Sequence, residues 1–439
     1  MIDHNSFSPR TALFHTLGCK LNFAETSTVA RIFASRGIMR VQQGDVPDIV
    51  VVNTCSVTEL ADKKCRQLIR QFVRRYPEAT VIVTGCYAQL KPEEVAAIPG
   101  VAIVAGNDRK ADLAEFLDRW LETRSPQMAV IPAKEIDSFT PSCSRGDRTR
   151  WFLKVQDGCD YWCTYCTIPM ARGRSRSASV ESLVAQARQA AAEGAREIVL
   201  TGVNIGDFGH RTGETFEQLC HALARVEGIE RYRISSIEPN LLSDSLIDWI
   251  ATEQGSRFMP HFHIPLQSGS DEVLRLMRRR YDTDTFRRKI EKIRATLPDA
   301  FIGVDLMVGC RGETAECFDE CKRFVESLPV SRLHVFPYSE RPGTRALGID
   351  HIVSQEEKHR RARIMIGVSE RMLADFAGRY VGTVRPVLLE HQRSDGSMSG
   401  FTDNYLRVSV EPRPELANTV VNVRLTGLDG EELRGEVVD

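Results

Sequence analysis

Apolar and polar positions follow two rhythms along this chain. Short β-branched runs recur between longer stretches in which apolar residues return every three or four positions, the periodicity of a helix. Three such pairs open the chain. Ala12–Leu17 ends in Gly18-Cys19, Asp48–Val52 runs on to Asn53-Thr54-Cys55, and Thr80–Val83 runs on to Thr84-Gly85-Cys86. Helical patterns follow over Asn22–Ser35, Thr58–Tyr76 and Lys91–Ile98. A further strand, Ala102–Ala105, and a helix, Ala111–Glu122, complete this region. Strands alternating with helices imply right-handed crossovers and a parallel sheet, so residues 10–124 are expected to form an α/β domain. Residues 125–150 mix proline, serine and charge with little periodicity and read as a linker.

The middle of the chain carries six strand patterns: Trp151–Val155, Glu197–Thr201, Arg231–Ile237, His261–Leu266, Phe301–Met307 and Arg332–Phe336. Helical stretches separate them, at Ser179–Glu193, Thr215–Val226, Ser243–Ala251, Ser270–Arg279 with Thr283–Ala295, and Thr314–Ser327. Six βα units make an open doubly wound sheet or an incomplete β/α barrel, and in both the chemistry gathers at the C-terminal ends of the strands. A basic helical stretch, Gln355–Arg371, extends this domain, placed at 151–378. From residue 379 to 439 the rhythm changes to short strands (Val384–Leu389, Tyr405–Val410, Thr419–Leu425, Glu432–Val437) between turns, the pattern of a small antiparallel barrel.

Composition narrows the possibilities. The 439 residues carry a formal net charge of −1, so a polyanion-binding surface must be a local patch. The tail from Tyr380 on complicates nucleic-acid binding, with six arginines against ten acids. No apolar run reaches the ~18 residues of a membrane-spanning helix, and the N-terminal MIDHNSFSPR lacks the plan of a signal peptide. A cytoplasmic location is expected. Twelve cysteines in such a chain favour metal or catalytic roles over a disulfide framework.

Three of them, Cys159, Cys163 and Cys166, stand at C-x3-C-x2-C spacing in QDGCDYWCTYCTIPMARGRSR (156–176). One loop can wrap three thiolates around one metal centre. Structural zinc wants four closed ligands, whereas a cubane iron–sulfur cluster is held by thiolates and three would leave one iron open. The alternative is three small packed residues. Cys19, Cys55 and Cys86 lie at the C-terminal ends of their strands, where open α/β sheets bind ligands, and would make a second three-thiolate site. Cys65 falls within a helix and Cys143 is isolated; both read as packing. Gly202, Glu238 and Gln267 fall in turns on the C-terminal face of the middle domain. Charge runs such as Arg278-Arg279-Arg280 and His359–Arg363 are usually solvated faces, while Arg172, Arg174 and Arg176, beside the cysteine loop, suit phosphate.

An aromatic, Tyr165, directly before the last cysteine of the C-x3-C-x2-C run resembles the pattern of radical S-adenosylmethionine enzymes. With three further cysteines in an N-terminal α/β domain, a six-stranded partial barrel and a small C-terminal barrel similar to a TRAM domain, the chain resembles the radical methylthiotransferases over almost its whole length. The resemblance implies an α/β fold with a partial (β/α)6 radical SAM barrel. It implies a transferase with two [4Fe–4S] clusters, on Cys159, Cys163 and Cys166 and on Cys19, Cys55 and Cys86, and S-adenosylmethionine, with contacts from Tyr165, Gly202, Glu238 and Gln267. The partners it implies are a tRNA anticodon stem-loop, an electron-donor protein and a sulfur donor, with no membrane and a monomeric state; Arg172, Arg174 and Arg176 would touch RNA. Cys19-Lys20-Leu21-Asn22 and Ile168–Gly173 look most like the branch that modifies C-2 of N6-threonylcarbamoyladenosine at tRNA position 37. The alternatives are a ribosomal-protein aspartate, an isopentenyladenosine tRNA, or a non-catalytic iron–sulfur redox sensor. One departure is Gly309-Cys310-Arg311-Gly312-Glu313, where the family has Gly-Phe-Pro-Gly-Glu. Cys310, Cys317 and Cys321 are read as packing.

Overall fold

A computed structural model describes residues 10–42, 44–146, 149–393 and 395–438. The N-terminal segment read above for a signal peptide lies, but for Arg10, outside the described residues. The chain divides into two compact units: Met1–Asp147 with Phe152–Asp160 and Cys166–Ala178, and Arg148–Trp151 with Tyr161–Tyr165 and Ser179–Asp439.

The first unit is built on a parallel sheet of six strands: β1 (Thr11–Thr16), β2 (Met39–Arg40), β3 (Ile49–Thr54), β4 (Thr80–Gly85), β5 (Val101–Ala105) and β6 (Gln127–Ala129), in the order β2-β1-β3-β4-β5-β6. The central strands are continuous apolar runs because both faces are covered. Val50, Val52, Val81 and Val83 face Ile69 and Phe72 of α2 (Glu59–Arg75) on one side. Ile49, Val51 and Ile82 face Val29 and Phe33 of α1 (Lys20–Ser35) and Leu113 and Leu117 of α5 (Leu113–Thr123) on the other. Between β4 and β5 lie two short helices, α3 (Cys86–Leu90) and α4 (Pro92–Ala96). The helix expected over Lys91–Ile98 thus begins at Cys86 and breaks at Lys91, because Pro92 cannot donate into a continuing ladder. The linker reading of residues 125–150 also needs correction. Gln127–Ala129 pairs in parallel with β5, and β7 (Ser142–Cys143) pairs antiparallel with Leu153 and Lys154 of β8 (Arg150–Lys154). A small antiparallel pair, β9 (Gln156–Asp157) and β10 (Arg176–Ser177), closes the base of the cysteine loop, and α6 (Ile168–Arg172) lies within it.

In the second unit the expected strands form as β11 (Glu197–Thr201), β12 (Arg231–Ile234), β13 (His261–Gln267), β14 (Phe301–Val308) and β15 (Arg332–Pro337). Pairing is parallel from β11 to β12 and through β13, β14 and β15, with bridges Tyr232–Phe258 and Ser236–His263 joining the two groups. Helices α7 (Val180–Ala192), α8 (Phe216–Leu223), α9 (Asp244–Ile250), α10 (Asp271–Leu276), α11 (Thr283–Thr296) and α12 (Ala315–Glu326) alternate with them. Ser179, Thr215, Ser243 and Thr314, read as helix starts, are the caps: each hydroxyl accepts a backbone N–H three residues on, satisfying a donor that the first turn leaves open.

Helix α13 (Gln355–Gly378) runs to the barrel, whose core joins its Leu373 and Phe376 to Val387, Val408, Val423 and Leu433. The barrel is closed and has five strands: β16 (Val384–Leu389), β17 (Met398–Thr402), β18 (Arg407–Val410), β19 (Val420–Asp429) and β20 (Glu432–Val437), in the order β16-β17-β18-β20-β19. Strand β17 was missing from the sequence reading. Three of the six tail arginines, Arg385, Arg407 and Arg434, are paired with carboxylates of the tail itself, which leaves its acid excess unchanged.

Gly85 sits at φ +99°, and a Cβ there would overlap Asn53 Oδ1 and the Thr54 backbone. Gly85→Ala is expected to destabilise the first unit by more than about 1 kcal/mol. Gly367→Ala, in the middle of α13, where a Cβ would meet only the Arg371 guanidinium at 3.9 Å, should instead stabilise by up to ~1 kcal/mol. Urea unfolding followed by circular dichroism checks both signs.

Candidate active site

Three thiols of the first unit are placed by the ends of strands. Cys19 caps α1 just beyond β1, Cys55 follows β3, and Cys86 opens α3 directly after β4. Strands β1, β3 and β4 are immediate neighbours, so the three residues leave the sheet side by side. Gly18, at φ +104°, lies so close to Cys55 that a Cβ on it would stand 2.9 Å from the Cys55 sulfur. Burial pushes the Cys55 thiol up to about 12, and the proximity of Cys86 and Cys19 adds to the rise. A thiol raised in this way stays protonated alone, and a bound metal would displace its proton. Soft sulfur donors within electrostatic reach of one another, beside a glycine that gives up its side chain to closeness, fit an iron–sulfur cluster. Among the described residues, no three His, Cys, Asp or Glu side chains form a group that could hold a metal ion as they stand. Cys65 is fully buried in the core of the sheet, and its thiol donates to the Cys55 carbonyl at 3.2 Å.

The cysteine loop is anchored to this same unit by buried charge. Arg172 donates to Glu25 Oε1 at 3.0 Å, Glu25 Oε2 at 3.1 Å, Asp157 Oδ1 at 2.9 Å and Asn22 Oδ1 at 2.5 Å. Lys154 spans Glu25 (2.9 Å) and Asp157 (2.7 Å), Lys110 pairs with Glu25, and Arg176 donates to Asp157 Oδ2 at 3.1 Å. All six charged side chains are at most 5 % exposed. Asn107 carries the network to the thiols. It accepts from Lys110 at 2.9 Å, donates to the Ala171 carbonyl at 2.8 Å, and turns its amide toward the Cys86 sulfur at 3.8 Å. Cys159 N–H donates to the Gly173 carbonyl at 3.1 Å, and the Cys166 sulfur accepts from Ile168 N–H at 3.4 Å.

These contacts correct the reading of Arg172 and Arg176 as RNA contacts. Both guanidiniums are buried and hydrogen-bonded within the protein, Arg176 also to the carbonyls of Ser138, Arg172 and Arg174. Arg174 is exposed.

The rest of the loop belongs to the second unit. Thr164 is held by the Met277 and Leu276 carbonyls at 3.1 and 2.9 Å. Tyr165 packs against Val273, Met277 and Tyr338. Arg279 donates to the Cys163 sulfur at 3.2 Å and the Tyr165 hydroxyl at 3.4 Å, and pairs with Glu238. Gly202 follows β11 and Glu238 follows β12, whereas Gln267, expected in a turn, is the last residue of β13; all three stand at C-terminal strand ends. Gln267 holds φ +69°, a conformation costly for a side-chain-bearing residue and concentrated at functional sites.

In the turn after β14, Glu313 accepts from Gly309 N–H at 2.9 Å and pairs with the buried Arg361 at 2.6 Å. The glycine–glutamate frame therefore folds the turn, and Arg311 points away to Glu340 at 2.7 Å. Cys310, Cys317 and Cys321 are buried; burial lifts Cys321 to about 12, and its sulfur accepts from Gly269 N–H at 3.1 Å. They pack, as expected. Arg279 and Arg361, read as parts of solvated charge runs, are buried instead.

Residues 11–106 match the profile of the "Uncharacterized protein family UPF0004", and residues 153–325 that of the "Radical SAM superfamily". The chain is 37 % identical over 429 residues to the threonylcarbamoyladenosine tRNA methylthiotransferase MtaB of Bacillus subtilis, covering 94 % of this chain and 93 % of that one. The Aquifex aeolicus MtaB is 35 % identical, with 93 % and 98 % covered. A tRNA-2-methylthio-N(6)-dimethylallyladenosine synthase of Thermobifida fusca is 33 % identical, with 87 % and 78 % covered. Among solved structures, the radical S-adenosylmethionine methyltransferase TsrM of Kitasatospora setae, bound to tryptophan and a SAM analog, superposes with a TM-score of 0.57 over 74 % of this chain and 72 % of its own; at 14 % identity it speaks to the fold. The chain belongs to the radical S-adenosylmethionine methylthiotransferases, and among them to the MtaB type. It is an enzyme, and S-adenosylmethionine and [4Fe–4S] clusters are the cofactors of its family. No described helix is long and apolar enough to cross a membrane.

Glu25 gives the network a measurable signature. Burial alone would raise its carboxyl, but Arg172, then Lys110 and Lys154, outweigh that and hold it well below the ordinary carboxylate range. A carboxylate depressed in the folded state contributes stability above its unfolded value of about 4.3, and loses it as pH falls through the folded one. Glu25→Gln is expected to cost about 3–5 kcal/mol at neutral pH, because it strands buried cations. The deficit should shrink on acidification below about pH 4. Amide hydrogen exchange in α1 and β1, compared at the two pH values, reads it.

Proposed function

We propose that this enzyme methylthiolates tRNA, placing sulfur and a methyl group on C-2 of N6-threonylcarbamoyladenosine beside the anticodon. The observation that carries the reading is the buried network. It fixes Cys19, Cys55 and Cys86 and the flanks of Cys159 and Cys166 in one folded unit, as a reaction using both thiol sets requires. The MtaB names of the relatives supply the substrate; the dimethylallyladenosine synthase at 33 % identity supplies the competing one.

In this reading Cys159, Cys163 and Cys166 hold one [4Fe–4S] cluster and Cys19, Cys55 and Cys86 a second. When bound, the first supplies the electron that splits S-adenosylmethionine into a hydrogen-abstracting radical, and the second carries the sulfur to be inserted. The residues of the chain bind, orient and shield. Asn107 and Arg172 hold α6, with the loop that carries Cys166, against the strand ends bearing Cys19 and Cys86. Tyr165, Gly202, Glu238 and Gln267 line the approach for S-adenosylmethionine at the ends of β11 to β13. Exposed Arg174 remains available to RNA phosphate. The partners are the anticodon stem-loop, an electron-donor protein and a sulfur donor, with the protein a monomer in the cytoplasm.

Two measurements test this. Replacing Cys159, Cys163 and Cys166 by alanine should abolish release of 5′-deoxyadenosine by the reconstituted, reduced enzyme. Replacing Cys19, Cys55 and Cys86 should spare that release while stopping thiolation, and loss of both activities in the second variant would refute the division of labour. Separately, mass spectrometry of nucleosides from tRNA treated with the enzyme should show 2-methylthio-N6-threonylcarbamoyladenosine. Methylthiolated dimethylallyladenosine in its place would transfer the chain to the other substrate.

A further inference from the structure

Arg279 lies just beyond α10, with its side chain 3 % exposed and every nitrogen engaged. Nη1 donates to the Cys163 sulfur at 3.2 Å and the Tyr165 hydroxyl at 3.4 Å. Nη2 pairs with Glu238, and Nε donates to the Tyr281 hydroxyl at 3.0 Å, which donates in turn to the Pro265 carbonyl. One guanidinium thus ties the metal loop to the residues that follow β12 and to β13. Its plane is fixed on three sides, so the charge cannot swing away from the sulfur.

A full positive charge against a ligand sulfur is not neutral scaffolding. Reduction of a [4Fe–4S] cluster adds one electron and no proton, so the site gains one negative charge. Hydrogen bonds to the sulfurs and nearby charge raise or lower the potential at which this happens, and in a dry site the field is weakly screened. Arg279 favours the reduced state. Glu238 bonds the far nitrogen, so its opposite charge acts from farther away. Tuning by an orienting partner one bond removed from the ligand is common in metal sites.

We propose that Arg279 and Glu238 form a positioning pair that sets, through Cys163, the reduction potential of the cluster on Cys159, Cys163 and Cys166. The guanidinium raises the potential, and the carboxylate aims the guanidinium and trims its effect. The inference rests on the assignment of a cluster to those three cysteines and deepens it. It also gives Glu238 a task different from direct contact with S-adenosylmethionine.

The test is a redox titration of the full chain carrying Cys19→Ala, Cys55→Ala and Cys86→Ala, so that one cluster reports. The protein is reconstituted with iron and sulfide, and dithionite with mediators reduces it while electron paramagnetic resonance follows the [4Fe–4S]+ signal. Arg279→Gln is expected to shift the midpoint to more negative potential, and Glu238→Gln to more positive potential. Arg279→Lys, which keeps the charge without the fork, should fall between Arg279→Gln and the parent. A purely structural pair would give shifts of one sign, or none, and either result overturns the proposal. If Arg279→Gln holds no cluster, the other two variants decide: Glu238→Gln must move positive and Arg279→Lys negative, and any other pattern refutes it. A parent that shows no [4Fe–4S] signal would instead defeat the cluster assignment.

Discussion

Glu25 and Arg172 meet far from water, and most of the site depends on their meeting. Charges are removed from solvent only at a large cost, recovered where partners and hydrogen bonds are complete. Here Arg172 has four acceptor contacts, and Glu25 receives three cations. An apolar contact of the same size tolerates sliding; a network of directional bonds has one register. That register holds helix α6 against α3, and so sets Cys166 and Cys86 in relation to each other through Ala171 and Asn107. Buried ionic groups are weak evidence for stability as such. Their use here is to specify which arrangement forms.

The second unit repeats the device with different chemistry. Arg279 orders Cys163 and Tyr165 as Arg172 orders the flank of Cys166, and each is paired with a single glutamate, Glu238 or Glu25. Arg361, buried between Glu313 and Glu357, closes the turn after β14 with two glutamates rather than one. Arginine suits all three places because its fork addresses several acceptors at once while staying charged when buried.

Much of this was legible in the sequence, and the failures have physical causes. Strand ends marked by Gly-Cys or Thr-Cys were readable because β-branched runs are unambiguous and turn chemistry follows them directly. The six cysteines stood out for the same reason. Arg172, Arg176, Arg279 and Arg361 were misjudged because a cluster of charge looks alike whether it faces water or a buried partner. The better signal lay in the partners. Glu25 occupies the stripe Leu21–Glu25–Val29, the buried face of an amphipathic helix, and Lys154 interrupts the apolar strand that precedes the loop. A lone charge on a buried face demands an opposite one. Strand β17 was overlooked because Ser399 and Gly400 break its pattern, yet Gly400 is required there: a Cβ would collide with the Leu388 backbone across the ladder. Gln127–Ala129 is three residues long at a sheet edge, too short for periodicity to register.

The neighbour relation of β1, β3 and β4 has a consequence for how this site can vary. Adjacent strands stand about 4.8 Å apart whatever their sequence, so the spacing of three residues leaving three neighbouring strands is inherited from backbone pitch. The helical crossovers between them contribute nothing to that dimension. The stretches from Cys19 to Cys55 and from Cys55 to Cys86 can therefore lengthen, shorten or change composition on their outer surfaces while the thiols keep their separation. A site gauged in this way is robust to drift on the outer face of the intervening chain and intolerant at the buried face of α1 and at the strand ends, where Gly18 and Gly85 leave no room for anything larger.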